Sequence, residues 1–159
     1  MKKNYLLLII FLMVFVTMGC SDDENTKDNA LISYAKTGCK PASSRVADDA
    51  TDIFGKEVIT YQGTSDKCLI IKHINVMFGC DADISVTASI NNRVITIAEH
   101  HTSSTNCICP YDLTVKVGFL TDGEYTVVID NGSSDKISFS INYSSKVNGE
   151  YFQRIEGTG

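Results

Sequence analysis

The feature that most constrains the fold is an alternation of apolar and polar residues in seven short runs. Within each run the apolar side chains recur at every second position, which places them on one face of a half-buried β-strand. No window repeats its apolar residues at the spacing of a helix. The seven predicted strands are residues 57–62, 69–78, 84–90, 93–99, 111–117, 124–130 and 136–143.

The segments between these runs carry turn residues. Asn91 and Asn92 separate two runs, and Asn tolerates the positive φ of a tight hairpin. A polar loop at residues 130–135 separates another pair. The segment from Leu120 to Tyr125 resembles the tyrosine corner of immunoglobulin-like domains, in which a Tyr bonds back to nearby backbone. We therefore predict an all-β fold, an immunoglobulin-like two-sheet β-sandwich of about seven strands.

The chain of 159 residues suits a single domain with short flanking segments. Residues 1–19 are predicted to be a signal peptide, and the polar residues 20–30 a lipidated flexible tether. The sandwich domain is expected over residues 31–145, beginning with an irregular or edge element at 31–51. Residues 146–159 are polar and rich in glycine, and they are predicted to be a loose C-terminal tail.

The N-terminal segment has the pattern of a secretory signal. Lys2 and Lys3 precede an apolar run at residues 5–16, which is too short to span a bilayer as a helix. Gly19-Cys20 resembles the lipobox of bacterial lipoproteins, which implies that Cys20 is acylated and becomes the first residue of the mature chain. A signal cleaved elsewhere and a signal anchor are the alternatives. Buried acyl chains contribute about 0.8 kcal/mol per methylene, so a lipidated Cys20 would hold the protein on a membrane.

The residues after Cys20 predict where in the cell envelope the protein is located. Ser21-Asp22-Asp23-Glu24 resembles the acidic export signal of Bacteroidota lipoproteins, which implies an outer-membrane lipoprotein facing the cell surface. The alternative is a plain hydrophilic tether. Without Lys2 and Lys3 the mature chain has 12 basic and 19 acidic residues, a net charge of −7. Because this charge repels phosphate backbones, nucleic acid is not an expected partner.

Five cysteines remain after Cys20, and an exported protein can form disulfides. If Asn91-Asn92 is the hairpin turn, the residue numbers of two facing residues always sum to 183. Asp83 then lies opposite His100. By extension Cys80 falls opposite Ser103, at the mouth of the next loop. We predict one disulfide from Cys80 to Cys107 or Cys109. The other member of that pair is left as a thiol or is paired to Cys39 or Cys68.

Two other uses of these cysteines stay open. The same register brings His100 and His101 towards Cys80, Cys107 and Cys109, and thiolate with imidazole suits zinc. Against a metal site, C-x-C differs from the usual C-x2-C knuckle, and neighbouring histidines on a strand point to opposite faces. The third possibility is unpaired thiols. His73 lies among apolar strand residues and is expected to be structural.

The sequence carries no phosphate-binding loop, nucleophile elbow, zinc-protease helix or EF-hand loop. We therefore predict no catalytic residues and no cofactor. Cys80, the run Cys107-Ile108-Cys109-Pro110-Tyr111-Asp112-Leu113 and the run Gly123-Glu124-Tyr125-Thr126-Val127 resemble small exported lipoproteins of the Bacteroidota that have no assigned function. The resemblance covers about residues 57 to 130. It implies a β-sandwich at the cell surface, and no reaction.

The function predicted from these observations is that of a surface-exposed, lipid-anchored module that binds or scaffolds a protein or glycan partner and is not an enzyme. One alternative is a thiol-redox or zinc-binding activity at Cys80, Cys107 and Cys109. The other is an inhibitor or accessory subunit of a surface complex, docking through an end loop of the sandwich.

Overall fold

The structure, a computed structural model, describes residues 26–27, 29–40 and 56–152. These residues form ten strands and no helix, so the described part has no helical segment that could cross a bilayer. The strands are β1 (Thr26–Lys27), β2 (Leu31–Lys36), β3 (Val58–Gly63), β4 (Cys68–Gly79), β5 (Asp83–Asn91), β6 (Val94–Thr102), β7 (Ile108–Gly118), β8 (Gly123–Asp130), β9 (Ile137–Tyr143) and β10 (Asn148–Phe152).

The strands form two five-stranded sheets. Sheet A has the order β1-β5-β6-β8-β9, and sheet B has the order β10-β3-β4-β7-β2. Neighbouring strands are antiparallel except β6 and β8, which pair in parallel. The predicted all-β, two-sheet sandwich is confirmed. The immunoglobulin-like strand order is not confirmed, because that fold pairs its strands antiparallel in sheets of a different order.

The inner faces of the two sheets share one apolar core, which follows from the alternation in the sequence. In β4 the inward positions include Leu69 and Ile71, and in β6 they include Ile95 and Ile97. All four are at most 1% exposed. Burying one such side chain contributes about 1.5 to 3 kcal/mol relative to leaving it in water. The strands predicted by the seven runs correspond to β3 through β9, each to within a few residues.

The last strand differs from the sequence-based expectation. Residues 148–152, predicted to belong to a loose tail, form β10 at the edge of sheet B. Tyr151 stacks on Phe139 of sheet A, with ring centroids 4.7 Å apart. Gly149 allows the Tyr61 ring to approach the strand so closely that a Cβ at position 149 would overlap it. This aromatic contact between the two sheet edges orders a segment whose composition is otherwise polar.

At the opposite side of the sandwich, one segment belongs to both sheets. β1 pairs with β5 of sheet A, and β2 pairs with β7 of sheet B. Ala30 lies between them and is completely buried. Its N–H donates to Ala88 O of sheet A at 2.8 Å, and its carbonyl accepts from Gly118 N of sheet B at 3.1 Å. The expectation of a flexible tether up to residue 30 is therefore wrong for β1 and Ala30, which belong to the sandwich, and the predicted edge element at the start of the domain is β2.

The turn between β5 and β6 lies one residue later than the sequence predicts. Asn92 and Arg93 are its central residues, with φ of 48° and 63°, and Asn91 pairs with Val94. Two positive φ values are the requirement of the tight hairpin turns that match strand twist. The expected pairing of Asp83 with His100 is therefore wrong, because Asp83 lies opposite Thr102. The residue numbers of facing residues now sum to 185 instead of 183. Because this shift is two residues and side chains alternate every two, each residue stays on the face of the sheet that was predicted for it.

The predicted tyrosine corner has its local hydrogen bond. Tyr125 lies near the start of β8, and its hydroxyl accepts from Thr121 N at 3.3 Å. The bond follows from a turn of a few residues and does not require the immunoglobulin strand order. The predicted signal peptide, the lipidation site Cys20 and the acidic segment 21–24 lie outside the described residues.

Candidate functional site

Four cysteines meet at one end of sheet B. Cys39 follows β2, Cys80 follows β4, Cys107 precedes β7, and Cys109 lies within β7. Cys80 is bonded to Cys107, one of the two predicted partners, and Cys109 is bonded to Cys39. Their Cα separations of 5.4 Å and 5.6 Å lie inside the range that a disulfide spans.

The pairing of β4 with β7 brings Cys80 to Cys107. In this ladder Phe78 faces Cys109, and Gly79 faces Ile108. One residue further along, Cys80 N donates to Cys107 O at 3.0 Å. Extension of the β5–β6 hairpin predicts a bond from Cys80 to Cys107 or Cys109, but that hairpin ladder ends at Asp83. The bond therefore depends on a long-range strand pairing that the local pattern does not encode.

Side chains around the cysteines fix the turn that carries Cys80. The Tyr111 hydroxyl lies 2.9 Å from Gly79 O and 3.0 Å from Cys80 O and donates to these carbonyls from a buried position. Ser103 packs directly on Gly79, where a Cβ would overlap it. These contacts leave the backbone at positions 79 and 80 little room to move.

Asp81 forms the polar cap of this end. It accepts from the hydroxyls of Ser103, Ser104 and Thr105 and from the Ser104 N–H. The Ser103 and Ser104 bonds hold the pKa of the Asp81 carboxyl well below its usual range. Asp81 is thus an acceptor that organises the 103–107 loop.

The sulfur atoms of the two disulfides lie side by side. The Sγ atoms of Cys39, Cys80 and Cys109 are all within 4.8 Å of one another. Cys39 and Cys107 are exposed, Cys80 is half-buried and Cys109 is 4% exposed. Cys68 is in neither disulfide. It lies at the start of β4, the opposite end of the strand from Cys80, and its buried thiol donates to Asp66 O at 3.5 Å.

The structure does not bring the two histidines of the zinc alternative to these sulfurs. The His101 ring packs against Phe78, with centroids 4.5 Å apart. His100 Nε2 lies 3.2 Å from Thr87 Oγ1, within hydrogen-bond distance. Within the described residues the candidate metal-ligand group contains Cys39, Cys80 and Cys109 only, and in this structure their sulfurs form disulfides.

A second cluster lies in the core and joins the two sheets. His73 of β4 is 1% exposed, and its Nδ1 lies 2.9 Å from both carboxylate oxygens of Glu99 on β6. Its Nε2 lies 2.5 Å from Glu57 Oε1. Burial acts to lower the pKa of His73, but the hydrogen bonds and charges of Glu57 and Glu99 outweigh it and raise this pKa to about 9. The imidazole is therefore a buried cation between two carboxylates.

Sequence reasoning identified His73 as structural and missed its partners. The signal was present in the alternation. Glu99 continues the inward series of Ile95 and Ile97, and His73 continues that of Leu69 and Ile71. A carboxylate and an imidazole forced into one core have to pair, because an isolated buried charge is too costly.

A third feature is a concavity of about 530 Å³ on the outer face of sheet B. Two rows of side chains cross β10, β3 and β4 here, as the strand register shows: Glu150, Thr60 and Lys72, then Asn148, Gln62 and Ile70. Among the described residues, no hydrogen bond or ion pair engages the five polar side chains of these rows. The volume falls within the range of small-ligand sites.

Comparisons with protein-family models, with curated proteins and with solved structures found no match for this chain.

Proposed function

We propose that the chain is an exported, lipid-anchored binding module that takes a hydroxyl-rich ligand, such as an oligosaccharide, on the outer face of sheet B. The observation that carries this proposal is the set of five unengaged polar side chains around the concavity. The two disulfides favour an oxidising, exported setting. The Gly19-Cys20 sequence favours a lipid on Cys20, and the acidic residues after it favour display at the cell surface.

The chemistry of the face favours a ligand that both donates and accepts. Gln62 and Asn148 each offer amide donors and an amide acceptor, and Thr60 offers a hydroxyl. Lys72 and Glu150 add a cation and an anion, so the face has no net charge of its own. Ile70 supplies an apolar floor. Sugar hydroxyls match such a mixture, since each one can donate and accept, and a sugar ring has an apolar face for Ile70.

The rigidity of the face also supports this proposal. The two rows lie on three hydrogen-bonded strands, and the opposite sides of β3 and β4 are buried in the core. Side chains on such a frame lose little further backbone freedom on binding, which lowers the entropic cost of recognition.

The test is binding of the purified, fluorescently labelled chain to an array of neutral and acidic oligosaccharides. We expect binding to a subset of glycans, weakened by about tenfold or more, or about 1.4 kcal/mol, in Gln62→Ala/Asn148→Ala. The matched control is Ser138→Ala/Ser140→Ala, which removes two exposed polar side chains from the outer face of sheet A. Absence of binding to any glycan, or equal loss in both variants, would contradict the proposal.

A further inference from the structure

The two disulfides at the end of sheet B are close enough to react with each other. Cys80, from one bond, has its Sγ within 4.8 Å of both sulfurs of the other bond, Cys39 and Cys109. Thiol–disulfide exchange needs a thiolate beside a disulfide sulfur. Once the Cys80–Cys107 bond opens, the Cys80 thiolate already lies beside its next target.

The burial of the four cysteines determines which sulfur atom an external thiol attacks first. Cys107 and Cys39 are exposed, whereas Cys109 is 4% exposed. Attack on Cys39 would expel the Cys109 sulfur as a buried thiolate, which is unfavourable because burial disfavours the charged form. Attack on Cys107 expels Cys80, which is half-buried. The exposed end of the Cys80–Cys107 bond is therefore the entry point.

We propose that this four-cysteine cluster is a thiol–disulfide exchange site for external thiols and dithiols, in which the two bridges react in sequence. An external thiolate attacks Cys107 Sγ, forming a mixed disulfide and breaking the Cys80–Cys107 bond, and Cys80 leaves as a thiolate. Cys80 then attacks Cys109 Sγ. The Cys39–Cys109 bond breaks, Cys80–Cys109 forms, and Cys39 leaves as an exposed thiolate that takes a proton from water.

With a dithiol, the second thiol completes the cycle. It attacks the external sulfur of the mixed disulfide and releases Cys107, which also takes a proton. The dithiol becomes a disulfide and the protein gains two electrons and two protons. The remaining bond joins Cys80 to Cys109, and the two thiols are at Cys39 and Cys107. Both are exposed positions, from which they can pass the electrons to another disulfide.

The relay also explains how a monothiol would be retained. At an isolated bridge the expelled thiolate attacks the mixed disulfide and reverses the first step. Here Cys80 has a second disulfide within reach, and its use leaves the external thiol on Cys107. The cluster therefore captures a thiol-bearing partner covalently, without any change in the total number of disulfides.

Partial reduction of the full mature chain tests this order of events. The protein is treated with limiting dithiothreitol, quenched in acid, alkylated and mapped by mass spectrometry with fragment ions that separate Cys107 from Cys109. We expect the species with two new thiols to be alkylated at Cys39 and Cys107, with Cys80 linked to Cys109. Buried Cys68 reports unfolding, because the folded protein protects it from alkylation. Alkylation at Cys80 and Cys107 with Cys39–Cys109 intact would overturn the proposal.

A second measurement uses glutathione, a monothiol, and the variant Cys39→Ala/Cys109→Ala. This variant keeps the entry bond and lacks the second bridge. The wild-type chain should accumulate severalfold more glutathione on Cys107 than the variant does, because only in the wild type can Cys80 be diverted. Equal accumulation in the two proteins would show that the bridges act independently. Either result leaves the proposed ligand face on sheet B unaffected, since none of its residues takes part.

Discussion

The cysteine end and the buried His73 cluster both stabilise the sandwich, and they do so by opposite means. The two disulfides lie near the surface and join β2, β4 and β7 within sheet B. In the His73 cluster, His73 and Glu99 lie in the core and connect sheet B to sheet A through charge, and Glu57 is half-buried. The first depends on the redox state of the surroundings, and the second depends on pH. The strands of one sheet and the contact between the sheets are thus sensitive to different conditions.

The largest effect is expected from the longer covalent loop. In Cys39→Ala/Cys109→Ala, the bridge that joins positions 70 residues apart is lost. The free energy of unfolding should fall by about 4 kcal/mol, because the unfolded chain gains loop entropy. Urea denaturation measures this loss, which should be the same at pH 7 and pH 9. If the loss in the free energy of unfolding varied strongly with pH, the cysteine end would also depend on pH, and the two regions would not differ as described.

A smaller effect is expected when the buried cation is removed. In His73→Gln, the Glu99 carboxylate stays 2% exposed without its charged partner, which should cost about 3 kcal/mol at pH 7. The matched control is Lys72→Gln, since Lys72 precedes His73 on β4 and points outward. Equal unfolding free energies for the two variants would mean that the His73 cluster contributes nothing specific.

The smallest effect is the response of the wild-type protein to pH. The pKa of His73 is about 9 in the folded protein against 6.5 for an unperturbed imidazole. The protonated His73 therefore makes its full contribution to the free energy of unfolding below pH 6.5, and this contribution is lost as the pH rises through 9. Between pH 7 and pH 9 the free energy of unfolding should fall by about 2 kcal/mol. His73→Gln should lack this decline, and a similar decline in that variant would assign it to other groups.

The sequence predicted the parts of the fold that depend on local alternation. The inward positions of β6 and of the first half of β4 are examples, since Ile95 and Ile97, and Leu69 and Ile71, follow the period of two; β4 loses this period at the register shift after His73. The β5–β6 hairpin was also predicted, with its turn displaced by one residue, because Asn91 and Asn92 have the same preference for positive φ. In the structure the two turn residues with positive φ are Asn92 and Arg93, and the Arg93 side chain lies over the Tyr125 ring.

The parts that were not predicted depend on contacts between distant segments. The sequences of β6 and β8 do not indicate that these strands pair in parallel. The immunoglobulin-like strand order that the sequence predicted was therefore not confirmed. β10 is ordered by Tyr151 packing on Phe139, a contact across the two sheets. The partner of Cys109 was left open because Cys39 reaches it only through the pairing of β2 with β7. The disulfide chemistry of the cysteine cluster was therefore predicted, but its full pairing was not. The ligand face on sheet B was not predicted, because it needs β10 paired with β3.

The crossing at Ala30 has a mechanical consequence. A pull on the N-terminal side of the domain acts first on β1, which has only two paired residues, and then on β2. Cys39 lies three residues beyond the end of β2 and is covalently joined to Cys109, near the start of β7 in sheet B. Extension of the chain under load would stop at residue 39 while that bond is intact. A reductant would remove the stop, so the force that the domain withstands would depend on the thiols around it.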